Sequence, residues 1–351
     1  MTECATENRS AAWSGAQWRQ ALTEMPKAHL HLHLGGACPY NLWRRFDAVS
    51  PPRSLNVVRD GFEVFERHGR SARRPVYGQL SIELLVQELA AEAVDLGVVW
   101  MELSIDPTLW DERWVAPARL ASAFAHARRH YPVGFGVVSL LARNNPDGLD
   151  PALEWAQQLA DLGVPVGLGL AGDERANPIS AFDRSADRAQ QAGFAWVPHA
   201  GEFPGQAPEL RYALGHQAPS RIAHGWTAVG DPALVQALAE RQVCLDIAPC
   251  SNVRLGVCSM REHPIQQLIR AGVPISLSTD NPLMIRHDLL RELMVAGRFL
   301  GLGPQGVAWA GLSSLRFCLA PSFARRRWVD LWADWARRWG LEVPAGQWLA
   351  D

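Results

Sequence analysis

Several things are scarce in this 351-residue chain, and each scarcity excludes something. There is no basic excess: 34 Lys and Arg against 36 Asp and Glu leave a formal charge of −2. That balance argues against a protein that grips nucleic acid, though not against a nucleotide-sized substrate. No stretch approaches the ~20 apolar residues that span a bilayer, so no membrane partner is expected. The N-terminal MTECATENRS has no basic segment leading into an apolar run, unlike a secretory signal. The six cysteines form no C-x-x-C pair, and a chain this long needs no disulfide staples. They read as reduced thiols, and the protein as soluble and cytoplasmic. Repeats and low-complexity tracts are also missing.

What is present is a globular composition, 48% hydrophobic and 20% charged, with 29 Gly and 24 Pro spread along the chain. Short apolar runs at 28–34, 98–103, 133–141, 165–170, 194–198, 221–223, 243–247 and 273–277 alternate with helical spacing. Strands alternating with helices pair in parallel through right-handed crossovers. Eight such runs predict an α/β fold, a closed (β/α)8 TIM barrel, forming one domain over 1–351. The surplus length falls in a helical insertion at about 39–80, carrying Pro51, Pro52 and the basic run 67–74, and in helices at about 288–351. The basic run reads as a solvated face. In the last helix Trp328, Trp332, Trp335 and Trp339 share one face, suited to packing on the barrel or on a second subunit.

Chemistry concentrates at four strand ends. Residues 27–37 read K-A-H-L-H-L-H-L-G-G-A, and alternation along a strand puts His29, His31 and His33 on one face. Of these, His29 reads as a packing residue. The segment F-A-W-V-P-H-A-G-E ends a strand in His199, and Gly201 permits a turn that returns Glu202 over the mouth. R-I-A-H-G-W ends in His224, and P-I-S-L-S-T-D-N in Asp280 and Asn281. Barrel enzymes draw their catalytic groups from the C-terminal ends of several strands. Each segment alone has an ordinary structural explanation; four together point to a divalent-metal site, whose neutral imidazoles suit zinc.

These blocks resemble the adenosine deaminase family of zinc aminohydrolases. The counterparts run in order: His31–His33, His199–Glu202, 223–225 and 278–281, with weaker matches at L-A-G-D-E (170–174) and L-D-I-A-P-C-S-N-V-R-L-G (245–256). The resemblance spans about residue 26 to 323. It implies one Zn²⁺ held by His31, His33, His199 and Asp280. It also implies His224 orienting the attacking water and Glu202 donating a proton to a ring nitrogen, with loss of ammonia. Zinc lowers the pKa of a bound water toward neutrality. Gly172 would contact the purine.

Departures concern the substrate. Gly35 stands where the family has an acidic residue holding the ribose 5′-hydroxyl, which opens space for a 5′-modified adenosine. Asn281 replaces an aspartate facing the purine five-membered ring, and an amide serves there too. Glu102 is retained in the pocket-wall block, but Ser104 replaces its arginine. The expectation is a deaminase of a 6-aminopurine nucleoside or close relative, with a small-molecule partner and an oligomer possible. Hydrolysis of another bond is disfavoured, since no Lys stands at a strand end to bridge a second metal. A silent binding protein should lack one of the catalytic groups, and none is missing.

Overall fold

The structure, a computed structural model, describes residues 13–45 and 56–344, excluding the side chains of 72–76. Cys4, Pro51 and Pro52 lie outside the described residues. Eight strands follow one another in chain order: β1 (Lys27–His33), β2 (Val98–Ile105), β3 (Gly134–Ala142), β4 (Val166–Ala171), β5 (Ala195–Ala200), β6 (Arg221–His224), β7 (Cys244–Ile247) and β8 (Ile275–Leu277). All neighbouring pairs are parallel. Past the end of β8, Leu32 bridges Asp280: His33 N–H donates to the Asp280 carbonyl at 2.9 Å, and Asp280 N–H to that of His31 at 3.0 Å. The ring is thereby closed as a (β/α)8 TIM barrel. Such strands are covered on both faces, which is why they read as unbroken apolar runs.

The lower barrel is filled by one charged cluster. Arg221 at the start of β6 donates Nη2 to Glu102 Oε2 at 2.6 Å, Nε to Asp246 Oδ2 at 2.9 Å and Nη1 to the Phe317 carbonyl at 2.7 Å. Glu102 Oε1 accepts from Trp100 Nε1 (2.9 Å) and Leu319 N–H (2.6 Å), and Asp246 Oδ1 from Ser276 Oγ (2.6 Å). Gly136 makes room for this arrangement, because a Cβ there would meet the Trp100 ring at 2.8 Å. The sequence reading placed Glu102 with the pocket wall. It lies instead in the interior below, where its partner is an arginine from the far side of the barrel.

Beneath the barrel the helix Gly15–Glu24 is fastened by Lys27, whose ammonium donates to the carbonyls of Leu22 (2.6 Å), Met25 (3.0 Å) and Leu96. The chain ends in helices Leu289–Arg298, Gly303–Phe317 and Ser322–Arg338. The tryptophan stripe packs within the molecule. Trp332 Nε1 donates to the Ala308 carbonyl at 3.1 Å and Trp335 Nε1 to that of Ala21 at 3.0 Å. Trp328 sits 5.9 Å from Trp100 and Trp339 5.2 Å from Trp13, ring to ring. The insertion forms helices Tyr40–Trp43, Val57–Asp60 and Phe62–Tyr77. The last is pinned to the end of β1 by Tyr77 Oη donating to the Leu34 carbonyl at 2.6 Å. Arg67 and Arg70 are exposed, as a solvated face requires. Five described cysteines carry free thiols, and among the described residues no helix is long and apolar enough to cross a membrane.

Candidate metal centre and active site

Four histidines from three strand ends converge at the barrel mouth. Ring centroids of His31 lie 5.3 Å from His33, 4.7 Å from His199 and 4.7 Å from His224. His33 Nε2 stands 3.4 Å from His31 Nε2 and 3.1 Å from His199 Nε2. Asp280 Oδ1 lies 3.5 and 3.3 Å from the Nε2 atoms of His31 and His33. Only one nitrogen of each such pair can carry a proton, so lone pairs are gathered around a common point. Burial, then the neighbouring histidines, push His199 well below the usual imidazole range, and its Nδ1 is buried with no hydrogen-bond partner. At His31 burial is outweighed by Asp280 and Asp246, which raise its imidazole. Imidazole nitrogens and an anionic carboxylate turned toward each other are a donor set for a divalent cation.

The surrounding contacts aim these ligands. His31 Nδ1 faces the Asp246 carbonyl at 3.3 Å, which places its proton there and leaves Nε2 as a ligand. Asp280 Oδ2 accepts from Ser251 Oγ at 2.6 Å, and Oδ1 from Asn281 Nδ2 at 2.6 Å. Asp280 and His224 both adopt left-handed backbone, φ +61° and +68°, an unfavourable conformation for such residues that the barrel rim enforces. Ser251 lies in the 245–256 block, to which the sequence reading assigned no role.

His29 does not join this group. The β1–β2 register shifts between His29 and Leu32, and such an irregularity breaks the alternation of faces. His29 therefore turns toward Leu89 and Glu92 of the helix Ile82–Asp95 and contacts Thr279 Oγ1 at 2.9 Å. The expectation that it shares a face with His31 and His33 fails for that reason; its packing role stands.

Glu202 follows β5, where Gly201 takes φ +72°. Its Oε1 lies 3.6 Å from His224 Nε2. Burial, reinforced by the charges of Asp280, Glu174 and Asp173, raises its carboxyl well above the usual range. Burial, with His31, pushes His224 down to about 3, so its ring is neutral. The site thus sets a carboxyl whose burial favours its acid form beside an imidazole whose burial favours its neutral form, at the edge of the ligand cluster.

All of this opens into a cavity of about 670 Å³ lined by His33, His199, Glu202, His224 and Asp280. Gly35, Gly172, Asn281 and Ser104 line the same cavity. The structure therefore brings the residues singled out for metal, catalysis or substrate to one chamber, save His31, which is buried behind its wall against His33, His199 and His224. Its wall adds Phe62, Trp110, Arg175 and the buried Arg143, which sequence reading missed. Only their place in the fold, on the insertion and on the loops after β2, β3 and β4, could have pointed to them.

A barrel with a cluster of metal-binding side chains and a buried acid at its mouth defines a class, the metal-site hydrolases built on this fold. The family follows from comparison: the adenosine deaminase family model matches residues 26–335, and the chain belongs to that family. It is an aminohydrolase. It is 35% identical over 310 residues to aminodeoxyfutalosine deaminase of Acidothermus cellulolyticus, covering 82% of this chain and 86% of that protein. Adenine deaminase of Sinorhizobium fredii is 30% identical over 294 residues, covering 81% and 90%. The crystal structure of adenine deaminase from Arthrobacter aurescens superposes with a TM-score of 0.73 at 25% identity, covering 89% of this chain and 99% of that one.

Proposed function

We propose that the protein hydrolyses the amino group from a 6-aminopurine, releasing ammonia, with Zn²⁺ held by His31, His33, His199 and Asp280. The observation that carries this reading is the buried Glu202 carboxyl 3.6 Å from His224 Nε2, at the edge of the convergent ligands. Zinc, when bound there, supplies a Lewis acid and a nucleophilic water near neutral pH. Glu202 donates its proton to the ring nitrogen beside the amino-bearing carbon, which makes that carbon electrophilic. His224 orients the incoming water and stabilises charge growing on the new oxygen. Asp280, its other oxygen occupied by Ser251, accepts a hydrogen bond from the same water. Asp280 takes the proton the water loses on attack and passes it to the amino group; as the C–N bond breaks and ammonia leaves, the new hydroxyl becomes the carbonyl and its proton returns to Glu202.

Gly172 offers its backbone to the purine from the end of β4. Asn281 gives one amide hydrogen to Asp280 and has a second for the five-membered ring. Gly35 itself supplies no carboxylate to the sugar end. The cavity of about 670 Å³ lies within the range of roughly 300–1,000 Å³ for small-molecule sites and has room beyond a purine and its sugar. These two observations favour a second reading, that the preferred substrate is a 5′-modified adenosine. Relatives of similar identity are named for different substrates, adenine and aminodeoxyfutalosine, so family membership leaves the choice open.

Ammonia release from adenine, adenosine, 2′-deoxyadenosine and several 5′-modified adenosines decides between them. Turnover of a 5′-modified compound with adenosine inert supports the second reading, and rapid turnover of adenosine rejects it. Silence across the panel by zinc-loaded protein rejects the reaction itself.

A further inference from the structure

The turn that carries Glu202 is gripped from both sides by a second buried carboxylate. Glu174, on the loop after β4, is 4% exposed. Its Oε2 accepts the Gly201 N–H at 2.7 Å and its Oε1 the Phe203 N–H at 2.7 Å. Those two amides belong to the residues immediately before and after Glu202. Their peptide planes bracket the four soft dihedrals that aim its side chain, and one rigid carboxylate ties the planes together. The intervening carbonyls are held as well: Trp226 Nε1 donates to that of Glu202 at 2.9 Å and Thr227 Oγ1 to that of Gly201 at 3.2 Å.

Arg143 extends the same scaffold to the metal side. Buried at the end of β3, it donates Nη2 to the His199 carbonyl at 2.8 Å and Nη1 to Glu209 Oε2 at 3.1 Å. Burial raises the Glu174 carboxyl to about 7 against the pull of the two amides and of Arg143, and accepting an N–H on each oxygen calls for its ionised form. The chain from His199 to Phe203 is therefore framed by one buried cation and one buried anion, neither of which touches the reacting atoms in the proposed reaction.

We infer that Glu174 is a positioning residue for Glu202: by binding the amides on either side, its carboxylate sets the angle at which the Glu202 carboxyl meets the substrate ring nitrogen. The inference rests on the proton-donor role proposed for Glu202. Glutamine cannot replace Glu174 in this task, because its amide group would present a donor to one of the two N–H groups. A misplacement of about 1 Å at a reacting group costs up to about 100-fold in rate.

Two measurements test this. Amide hydrogen exchange at Gly201 and Phe203 should be slow in the wild type and at least about tenfold faster at one or both in Glu174→Gln, with the β5 amides unchanged. Unchanged exchange at both would overturn the clamp, and this arm decides even if no purine is turned over. The second is a cycle with Glu202→Gln in the zinc-loaded enzyme. Glu174→Gln should lower kcat roughly 10- to 100-fold with KM within about threefold and metal content equal. The double variant should be no slower than Glu202→Gln alone. A further multiplicative loss in the double variant, or a loss of metal, would overturn the positioning role. Should Glu174→Gln not fold, Glu174→Asp, whose shorter side chain reaches only one amide, should show the same pattern to a smaller degree, and wild-type exchange and kcat would overturn the inference.

Discussion

The two ends of this barrel both bury charge, and they bury it differently. In the lower interior, Arg221, Glu102 and Asp246 satisfy one another with five hydrogen bonds between 2.6 and 2.9 Å, including those from Trp100, Ser276 and Leu319. A sixth hydrogen bond runs from the guanidinium to the Phe317 carbonyl at 2.7 Å. At the mouth, histidine nitrogens face each other at 3.1 and 3.4 Å, and burial raises the Glu202 carboxyl well above the usual range. Closed charge serves structure, since each group answers another. Open charge, held in place by neighbours but not neutralised by them, is chemistry waiting for a ligand. The mouth is also where backbone strain is stored, at His224 and Asp280.

Mutations should separate the two ends. The largest effect belongs to Glu202: Glu202→Gln should lower kcat by about 10²- to 10⁴-fold while thermal unfolding and metal content stay close to wild type. The pH profile should agree. Because the acid form is the active one, kcat/KM should fall as pH rises through the raised pKa of Glu202, and a rise over that range would contradict its assignment as proton donor.

Arg221→Met should do the reverse. It strands two buried carboxylates and should destabilise the fold by about 3–5 kcal/mol in denaturant titrations, with little change in kcat per folded molecule. A variant that unfolds normally but loses activity would erase the distinction between the ends. Ser251→Ala is a subtler probe of the mouth. Loss of its bond to Asp280 should weaken metal affinity about 10- to 100-fold in a chelator competition.

The smallest effect sharpens the substrate rather than the reaction. Gly35→Asp should raise kcat/KM for adenosine by roughly tenfold, the worth of one hydrogen bond to a charged group, and lower it for 5′-modified analogues. Equal effects on both would show that this position does not face the sugar end.

The parts legible in the sequence were those written locally. The strands stood out as apolar runs, and His33, His199 and His224 lie at strand ends, so segment and role could be read together. The tryptophan face was equally local, although its partners, the Ala308 and Ala21 carbonyls, were not. What escaped depends on pairings across the barrel. Glu102 meets Arg221 at a separation of 119 residues, and Arg143 meets His199 at 56. Neither leaves a mark in any short window. His29 escaped for another reason: a single register shift reverses a face that strict alternation would assign. Glu174 stood inside a recognised block, yet its task appears only when Gly201 and Phe203 fold back upon it.

The most direct measurement compares ammonia release by wild type and Glu202→Gln, each purified with its metal content determined, on the 6-aminopurine panel. The account predicts equal metal, near one zinc per chain, with rapid release by the wild type on at least one 6-aminopurine and at least about a hundredfold less by the variant. Equal release by both proteins would contradict it, because the buried acid at the open end of the barrel would then have no part in the chemistry.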